Sequence, residues 1–223
     1  TAPDFRPLRT ADGSLTLRSA LLGEQYHSTH GAVQESTHVF MEQGLAQVGL
    51  RQVDVLEVGL GTGLNLLLTW VRCLEGKYSV RYTALEPHPL SAEQLVALDH
   101  CAELAWPGLH EPFMQRMTVP RSDTWEPLGG LTFRMLPLAV QHYAEEAVAD
   151  VIFFDAFGPP TQPEMWTLDV FQRMYKALRP GGVLVTYCAK GEVRRTMQAA
   201  GFVVERLPGP PGKREMLRGI RER

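Results

Sequence analysis

The hydrophobic pattern of this chain changes period repeatedly from residue 51 onward. Short apolar runs rich in β-branched residues predict buried strands, and they read VDVLEVG, YSVRYTALE, LTFRMLP, ADVIFFDAF and GVLVTYC. The segments between them have helical spacing, and they read TGLNLLLTWVRCLEG, AEQLVALDHCAEL, AVQHYAEEAV, PEMWTLDVFQRMYKAL and GEVRRTMQAAG. Because strands that alternate with helices connect by right-handed crossovers, the pattern predicts a doubly wound, parallel α/β sheet.

The two ends of the chain depart from this alternation. FVVERLP, the turn GPPG and REMLRGI predict a terminal hairpin that adds antiparallel strands to one edge, within a mostly parallel sheet of seven strands. Residues 1–50 are expected to form an N-terminal extension that packs on the core, with a short hairpin around Asp12-Gly13 and a helix within 32–48. Residues 51–223 are expected to form one compact domain. Segment 104–130 has no clear pattern and is interpreted as a long irregular connection.

Composition narrows the class of protein without naming a function. The chain has 223 residues and no apolar run near the roughly 18–20 residues that span a bilayer. The first residues contain no apolar signal-peptide core, so we expect a cytoplasmic protein that does not enter the membrane. Cys73, Cys101 and Cys188 are far apart, and His27 and His30 belong to no HExxH motif, so neither a disulfide framework nor a metal site is expected.

Charge is distributed unevenly along the chain. The net charge is −3, which argues against indiscriminate coating of nucleic acid. Residues 190–223 nevertheless contain nine basic and four acidic side chains. A local phosphate-binding face and a solvated surface both fit this basic tail.

A glycine-rich loop follows the first strand of the repeat. Gly59, Gly61 and Gly63 form GxGxG, whereas a dinucleotide-binding loop has GxGxxG, and no lysine follows as in a P-loop. Glu57 precedes these glycines, and its carboxylate would repel a pyrophosphate but suit an ammonium group. The loop therefore favours S-adenosylmethionine, with its methionine part near Glu57.

Glu86 ends the second strand, where an acid accepts hydrogen bonds from both hydroxyls of a ribose. NAD would use the same arrangement, so Glu86 alone does not decide between the two ligands. A ligand-free tight turn with a surface acid is the third interpretation of the loop.

The strand ADVIFFDAF places Asp155 at its carboxyl end, opposite the expected sulfonium of the cofactor. There Asp155 can orient a substrate amine and help to take up its proton, although a capping aspartate also fits. Asn65 fits either a cofactor contact or a cap of its own helix. Phe157 and Trp166 fit either stacking on a base or packing in the core.

Six stretches carry a resemblance that covers roughly residues 15–220. The more specific ones are FDAFGPPTQPEMWT and GKREML; the others are GTGLNLLLTW, LRPGGVLVTYCAKGEVRRTMQAAGF, EQYHSTHGAVQESTHVF and LAWPGLH. They resemble the MnmC and MnmD family of class I methyltransferases, which act on the tRNA wobble uridine. The resemblance implies a Rossmann-like fold and methyl transfer from S-adenosylmethionine to the primary amine of 5-aminomethyl-(2-thio)uridine. The implied product is 5-methylaminomethyl-(2-thio)uridine.

The resemblance also assigns residues. It implies cofactor contacts from Glu57, Gly59, Gly61, Gly63, Asn65, Glu86 and Asp155, with Asp155 as the active-site acid. It implies that Tyr26, Glu35 and Ser36 close on the methionine end and the substrate. Where the family tends to have Gly-Asp near the adenine, this chain has Leu136-Pro137, so the backbone of Leu138 is expected to serve instead.

The same resemblance implies that the basic tail, residues 190–223, binds tRNA. Arg194, Arg195, Lys213 and Arg214 become candidates for phosphate contacts, next to Phe157 and Trp166 as candidates for contact with the anticodon. No flavin or metal is expected in this chain, and a separate flavin oxidase is expected to act upstream. A small-molecule amine methyltransferase and a non-catalytic tRNA-binding module remain as alternatives.

Overall fold

The computed structural model describes residues 5–19, 25–26, 29–118 and 125–223. Its centre is a sheet in which eight strands from these residues lie in the order β5-β6-β4-β3-β7-β8-β10-β9. Their bounds are β3 Gln52–Val58, β4 Ser79–Leu85, β5 Glu126–Leu128, β6 Leu131–Leu136, β7 Ala149–Phe154, β8 Leu178–Thr186, β9 Val203–Pro208 and β10 Glu215–Ile220. The five strands from β6 to β8 run parallel, and β10 pairs antiparallel with both β8 and β9.

The α-helices cover both faces of this sheet, as a doubly wound fold requires. Their bounds are α1 Ala32–Ser36, α2 Leu64–Leu74, α3 Ala92–Val96, α4 His100–Glu103, α5 His110–Thr118, α6 Leu168–Ala177 and α7 Gly191–Ala199. Two clusters of buried apolar side chains lie on opposite faces of the sheet. Side chains from alternate positions of β7 enter different clusters: Phe153 packs in one, and Phe154 packs in the other.

The N-terminal part packs against this core. Strands β1 Phe5–Arg9 and β2 Leu15–Ser19 form a separate antiparallel hairpin, as the Asp12-Gly13 turn predicted. Helix α1 continues as a π-helix over Thr37–Glu42, whose Val39, Phe40 and Met41 are buried. His38 contacts the carbonyl oxygen of Pro208 at 2.9 Å from its Nε2 atom, so this segment also touches the C-terminal hairpin.

The α/β class, the mostly parallel sheet and the antiparallel C-terminal hairpin are confirmed. The predicted count of seven strands is wrong, because Glu126–Leu128 adds an eighth strand antiparallel to β6. Segment 104–130 is less irregular than predicted, since it contains α5; its residues 119–124 lie outside the described part of the chain. Among the described residues, no helix is long and apolar enough to cross a membrane.

Several helices are shorter than their patterns predicted. The pattern around AVQHYAEEAV gives only a 3₁₀ turn at Val140–His142. The helix expected to start at Pro163 starts at Leu168, where the Thr167 hydroxyl accepts a hydrogen bond from the N–H of Val170. RPGG does not end that helix as a loop, because its residues already belong to β8.

Candidate active site

A cavity of about 540 Å³ lies at the carboxyl ends of β3, β4 and β7. This is the position where doubly wound sheets bind ligands, and the volume is typical of a small-molecule site. Its wall has an apolar side and a polar side. The lining residues are Tyr26, Val58, Gly59, Leu60, Gly61, Thr62, Leu85, Glu86, Pro87, His88, Pro89, Leu90, Ser91, Gln94, Ala139, Val140, Asp155, Ala156, Phe157, Gln162, Met165 and Tyr187.

The glycine loop between β3 and α2 forms one wall of the cavity. Gly59 has φ +86°, and a Cβ atom there would lie 2.8 Å from the carbonyl oxygen of Asp155. Gly61 has φ +50°, and a Cβ atom there would meet the ring of Tyr26 at 2.8 Å. Both positions therefore combine a left-handed backbone with close packing, which only glycine accommodates without strain. Gly63, the N-cap of α2, packs instead against Met117 and Phe113 and does not line the cavity.

Glu86 follows β4 and faces the same cavity. Its Oε2 atom accepts a hydrogen bond from the N–H of Gly61 at 3.1 Å, and its Oε1 atom accepts one from the N–H of His88 at 2.9 Å. Two backbone donors thus fix the carboxylate beside the loop. Its remaining lone pairs can accept hydrogen bonds from vicinal hydroxyl groups, as the sequence predicted.

Glu57 does not reach the cavity, contrary to the expected direct contact with an ammonium group. Its side chain is fully buried, and it accepts hydrogen bonds from the Tyr82 hydroxyl at 2.8 Å and from the Asn65 amide at 2.9 Å. Burial raises the pKa of Glu57 well above its ordinary value, and the nearby Asp155 and Glu86 carboxylates raise it further. Glu57 therefore lies beneath the glycine loop and contacts the site only indirectly, through its hydrogen bond with Asn65.

Asn65 connects Glu57 to Asp155. The Asn65 Nδ2 atom donates to Glu57 Oε1 and to Asp155 Oδ2, both at 2.9 Å. Asp155 directly follows β7 and lines the cavity, so this amide holds a carboxyl that faces the ligand space. Asn65 itself is buried and does not line the cavity. The sequence suggested two roles for Asn65, a cofactor contact or a helix cap. The structure shows a third role, in which Asn65 positions Asp155.

The surroundings of Asp155 change its proton affinity. Burial raises the pKa of Asp155 to about 7, and the Glu35 carboxylate adds to the increase. The hydrogen bond from Asn65 and the ammonium group of Lys213 both lower that pKa. A pKa near neutrality is the property that a general base needs in a cell.

Three aromatic rings line the same cavity as Asp155. Tyr26 and Phe157 pack edge to face with ring centroids 4.9 Å apart, and both line the cavity. Tyr187 lines it as well, and its hydroxyl donates to the carbonyl oxygen of Ala156 at 2.8 Å. Trp166 is placed differently from the stacking hypothesis, because its ring is buried against Phe154. The Trp166 indole N–H donates to the carbonyl oxygen of Phe157 at 2.8 Å and so helps to hold the backbone of Phe157 in place.

The N-terminal motif reaches the site in part. Glu35 is buried on α1, and its carboxylate affects the pKa of Asp155. Ser36 is fully buried and does not line the cavity, and its contact with the substrate stays a prediction. His27 lies outside the described residues.

The four predicted phosphate contacts do not share one environment. Arg195 and Arg214 are exposed, and Arg194 is half-buried on α7. Lys213 is different, since its Nζ atom lies 2.5 Å from Glu35 Oε2 and 4.0 Å from the centroid of the Tyr187 ring. In this conformation the Lys213 ammonium group pairs with Glu35 and lies over the ring of Tyr187, which lines the cavity, and its phosphate contact stays a prediction.

The part of the cavity where the adenine is expected is lined by other residues than predicted. Leu138 packs against the core and its N–H donates to the carbonyl oxygen of Leu136 at 2.8 Å, so that backbone donor is already used. Ala139 and Val140 line the cavity instead. Tyr187 was not predicted as a site residue, although its position directly after a parallel strand is a usable signal.

A family described as S-adenosyl-L-methionine-dependent methyltransferase matches residues 135–222. Among curated proteins, the chain is 34% identical over 231 residues to the tRNA 5-methylaminomethyl-2-thiouridine biosynthesis bifunctional protein MnmC of Aromatoleum aromaticum. The alignment covers 94% of this chain and 34% of that protein. MnmC of Cupriavidus necator is 35% identical, with 86% of this chain and 31% of that protein covered. The chain thus spans about one third of the length of the curated relatives it matches.

Solved structures agree with this similarity. MnmC2 from Aquifex aeolicus superposes with a TM-score of 0.79 at 27% identity, covering 98% of this chain and 70% of that one. Spermidine synthase from Thermotoga maritima superposes with a TM-score of 0.61 at 14% identity, covering 97% of this chain and 68% of that one, which shows a shared fold alone. The expected cofactor, S-adenosylmethionine, is confirmed at the level of the family. The chain is thus similar to the S-adenosyl-L-methionine-dependent methyltransferases over residues 135–222, and to the MnmC proteins over most of its own length.

Proposed function

We propose that this protein methylates the primary amine of 5-aminomethyl-(2-thio)uridine at the tRNA wobble position, giving 5-methylaminomethyl-(2-thio)uridine. The observation that carries the proposal is the position of Asp155. It directly follows β7 at the wall of the cavity, burial raises its pKa to about 7, and three aromatic rings line the same cavity. The names of the MnmC relatives refer to the biosynthesis of 5-methylaminomethyl-2-thiouridine in tRNA and supply the substrate class.

The cavity residues fit S-adenosylmethionine. When bound, this cofactor supplies an electrophilic methyl group on a positively charged sulfur. We assign the ribose hydroxyls to Glu86 and the methionine part to the backbone of Gly59 and Gly61. The apolar side of the cavity, with Leu85, Leu90, Pro89, Val140 and Met165, suits the adenine ring.

Asp155 prepares the substrate amine. Nitrogen attacks a methyl group only through a free lone pair, so an ammonium group must first lose a proton. The Asp155 carboxylate accepts a hydrogen bond from the ammonium group and takes up one of its protons before the N–C bond forms, which frees the nitrogen lone pair. Asn65 holds this carboxylate at a fixed position, which lowers the entropy cost of alignment.

Three basic residues of the C-terminal part, two of them exposed and one half-buried, extend the proposal to tRNA. Arg194, Arg195 and Arg214 are assigned to backbone phosphates of the anticodon stem-loop. Arg214→Glu should raise the tRNA KM and reduce its dependence on salt. An unchanged salt dependence would remove Arg214 from the interface. A separate flavin oxidase that supplies the free amine, and a cytoplasmic location, belong to the same proposal.

The proposal has a direct test. Undermethylated tRNA is incubated with the protein and S-adenosylmethionine that carries a labelled methyl group, and the nucleosides are analysed by mass spectrometry. We expect label in 5-methylaminomethyl-(2-thio)uridine. Label in free small amines, with none in tRNA, would support the alternative of a small-molecule methyltransferase.

A further inference from the structure

Lys213 forms a compact cluster with Glu35 and Tyr187. The ammonium group contacts the Glu35 carboxylate at 2.5 Å and lies over the Tyr187 ring at 4.0 Å from its centroid. A carboxylate together with an aromatic face is the chemistry that proteins use to bind ammonium groups. The side chain of Glu35 is only 7% exposed, whereas that of Lys213 is 30% exposed. The acid is therefore a fixed part of the interior, and the lysine enters from the surface.

This cluster adjoins the active-site cavity. Tyr187 lines the cavity, and its hydroxyl is fixed on the carbonyl of Ala156, the residue after Asp155. Glu35 and Lys213 are both close enough to Asp155 to shift its pKa in opposite directions. The three charged groups and the ring consequently lie next to the part of the cavity that the proposed function assigns to the attacking amine.

We propose that Glu35 and Tyr187 form a receptor for a primary alkylammonium group, and that Lys213 occupies it until the aminomethyl group of the substrate displaces it. The identification of the displacing group rests on the proposed function; the receptor itself does not. Both groups are primary amines on a methylene carbon, so one replaces the other without leaving the buried Glu35 carboxylate unpaired. The substrate enters as an ammonium ion and then gives its proton to Asp155.

The position of Lys213 suits an exchangeable occupant. It lies in the turn between β9 and β10, where its own N–H donates to the carbonyl of Pro210 at 2.9 Å. The backbone is thus anchored while the four-carbon side chain can turn outward. Once displaced, Lys213 joins Arg214 on the exposed side of the same turn.

The test uses ethylammonium as the probe and three proteins: the wild type, Lys213→Met, and the double variant Glu35→Gln/Lys213→Met. Binding is measured by calorimetry, with unfolding curves to verify that each variant folds. We expect Lys213→Met to bind ethylammonium at least tenfold more tightly than the wild type. The double variant should lose that gain. Equal affinity in all three proteins would overturn the receptor.

A kinetic comparison separates this role from a phosphate contact. Arg214→Met should raise the tRNA KM, whereas Lys213→Met should lower it because no internal ammonium competes. A similar increase in both variants would overturn displacement. If the wild type methylates no tRNA, the proposed function fails, yet the ethylammonium titration still decides whether the receptor exists.

The wild-type protein gives a further readout if Lys213→Met does not fold. The NMR signal of the Lys213 ammonium should show slow hydrogen exchange in the free protein, because Glu35 and Tyr187 shield it. Saturation with undermethylated anticodon stem-loop should bring it to the fast exchange of a solvated lysine. A signal that is unchanged at saturation would contradict displacement.

Discussion

The two halves of the active site are built in different ways. The half assigned to the cofactor comes from adjacent strands and their loops, mainly the glycine loop after β3 and Glu86 after β4. The half assigned to the substrate joins α1, the end of β7, the end of β8 and the C-terminal hairpin through Glu35, Asp155, Tyr187 and Lys213. A local sequence motif therefore predicts the cofactor half. The substrate half forms only when segments from both ends of the chain pack together.

Substitution of Asp155 should give the largest difference between the two halves, because it should impair turnover and leave cofactor binding intact. Asp155→Asn keeps the shape of the side chain and an acceptor for Asn65 but cannot take up a proton. Turnover should fall roughly 10²–10⁴-fold, while affinity for S-adenosylhomocysteine should change little. Single-turnover kinetics and calorimetry measure the two effects.

The stability of Asp155→Asn provides the control. The folded protein holds the Asp155 proton up to a pKa of about 7, against an ordinary value of 3.8. Ionisation therefore destabilises the fold as pH rises through this window, and that penalty is complete above pH 7. At pH 8 the variant should unfold at an equal or higher denaturant concentration. A less stable variant with weak cofactor binding would instead indicate a structural role.

Substitution in the glycine loop should damage the cofactor half. Gly59→Ala adds backbone strain of about 1–2 kcal/mol and a clash with the Asp155 carbonyl worth about 1–3 kcal/mol. Gly49→Ala is the matched control, since Gly49 has φ +66° and no atom within 4 Å of an added Cβ. Urea unfolding should show a clearly larger loss for Gly59→Ala, together with weaker cofactor binding. Equal losses would show that the contact with Asp155 is unimportant.

The buried acid beneath the loop should matter for stability more than for binding. Tyr82→Phe removes the hydroxyl that donates to Glu57 at 2.8 Å and leaves a buried oxygen with one donor fewer. We expect a loss of about 1–3 kcal/mol in the free energy of unfolding. Cofactor affinity should stay within a few fold of the wild type, because neither residue lines the cavity. A large loss of cofactor affinity with unchanged stability would indicate that Glu57 takes part in cofactor binding.

The pH dependence of kcat/KM should respond to charges in the substrate half. The wild-type rate should rise through about pH 7, because the ionised form of Asp155 is the active one. Glu35→Gln removes a charge that raises this pKa, so the ascending limb should move to lower pH, by about one unit. Lys213→Met removes a charge that lowers it, so the limb should move to higher pH. Shifts in the same direction would show that Asp155 does not control the profile.

The sequence predicted the elements whose signals are local. Buried strands, the glycine loop and the acids at strand ends follow from hydrophobic period and position, and these predictions agree with the structure. The helix predicted around AVQHYAEEAV did not form beyond one 3₁₀ turn, and Asp99, with φ +43°, interrupts AEQLVALDHCAEL as a left-handed residue. The hydrophobic pattern predicts neither the short 3₁₀ turn nor the interruption at Asp99.

The roles of individual site residues depended on distant partners. Glu57 is spaced correctly for a ligand contact, yet Tyr82 and Asn65 use its oxygens and hold it below the cavity. Lys213 belongs to a basic stretch of sequence, yet its partner is Glu35, which lies far away along the chain. Spacing along one segment carries no information about either partner, so these two assignments required the fold.

The central claim is that Asp155 serves methyl transfer to a tRNA amine in this site. The most direct test is nucleoside mass spectrometry on undermethylated tRNA, comparing the wild type with Asp155→Asn under saturating S-adenosylmethionine. Methyl label in 5-methylaminomethyl-(2-thio)uridine with the wild type, and its near absence with the variant, is the predicted result. Equal labelling by the two proteins, or no labelled wobble nucleoside with the wild type, would contradict the claim.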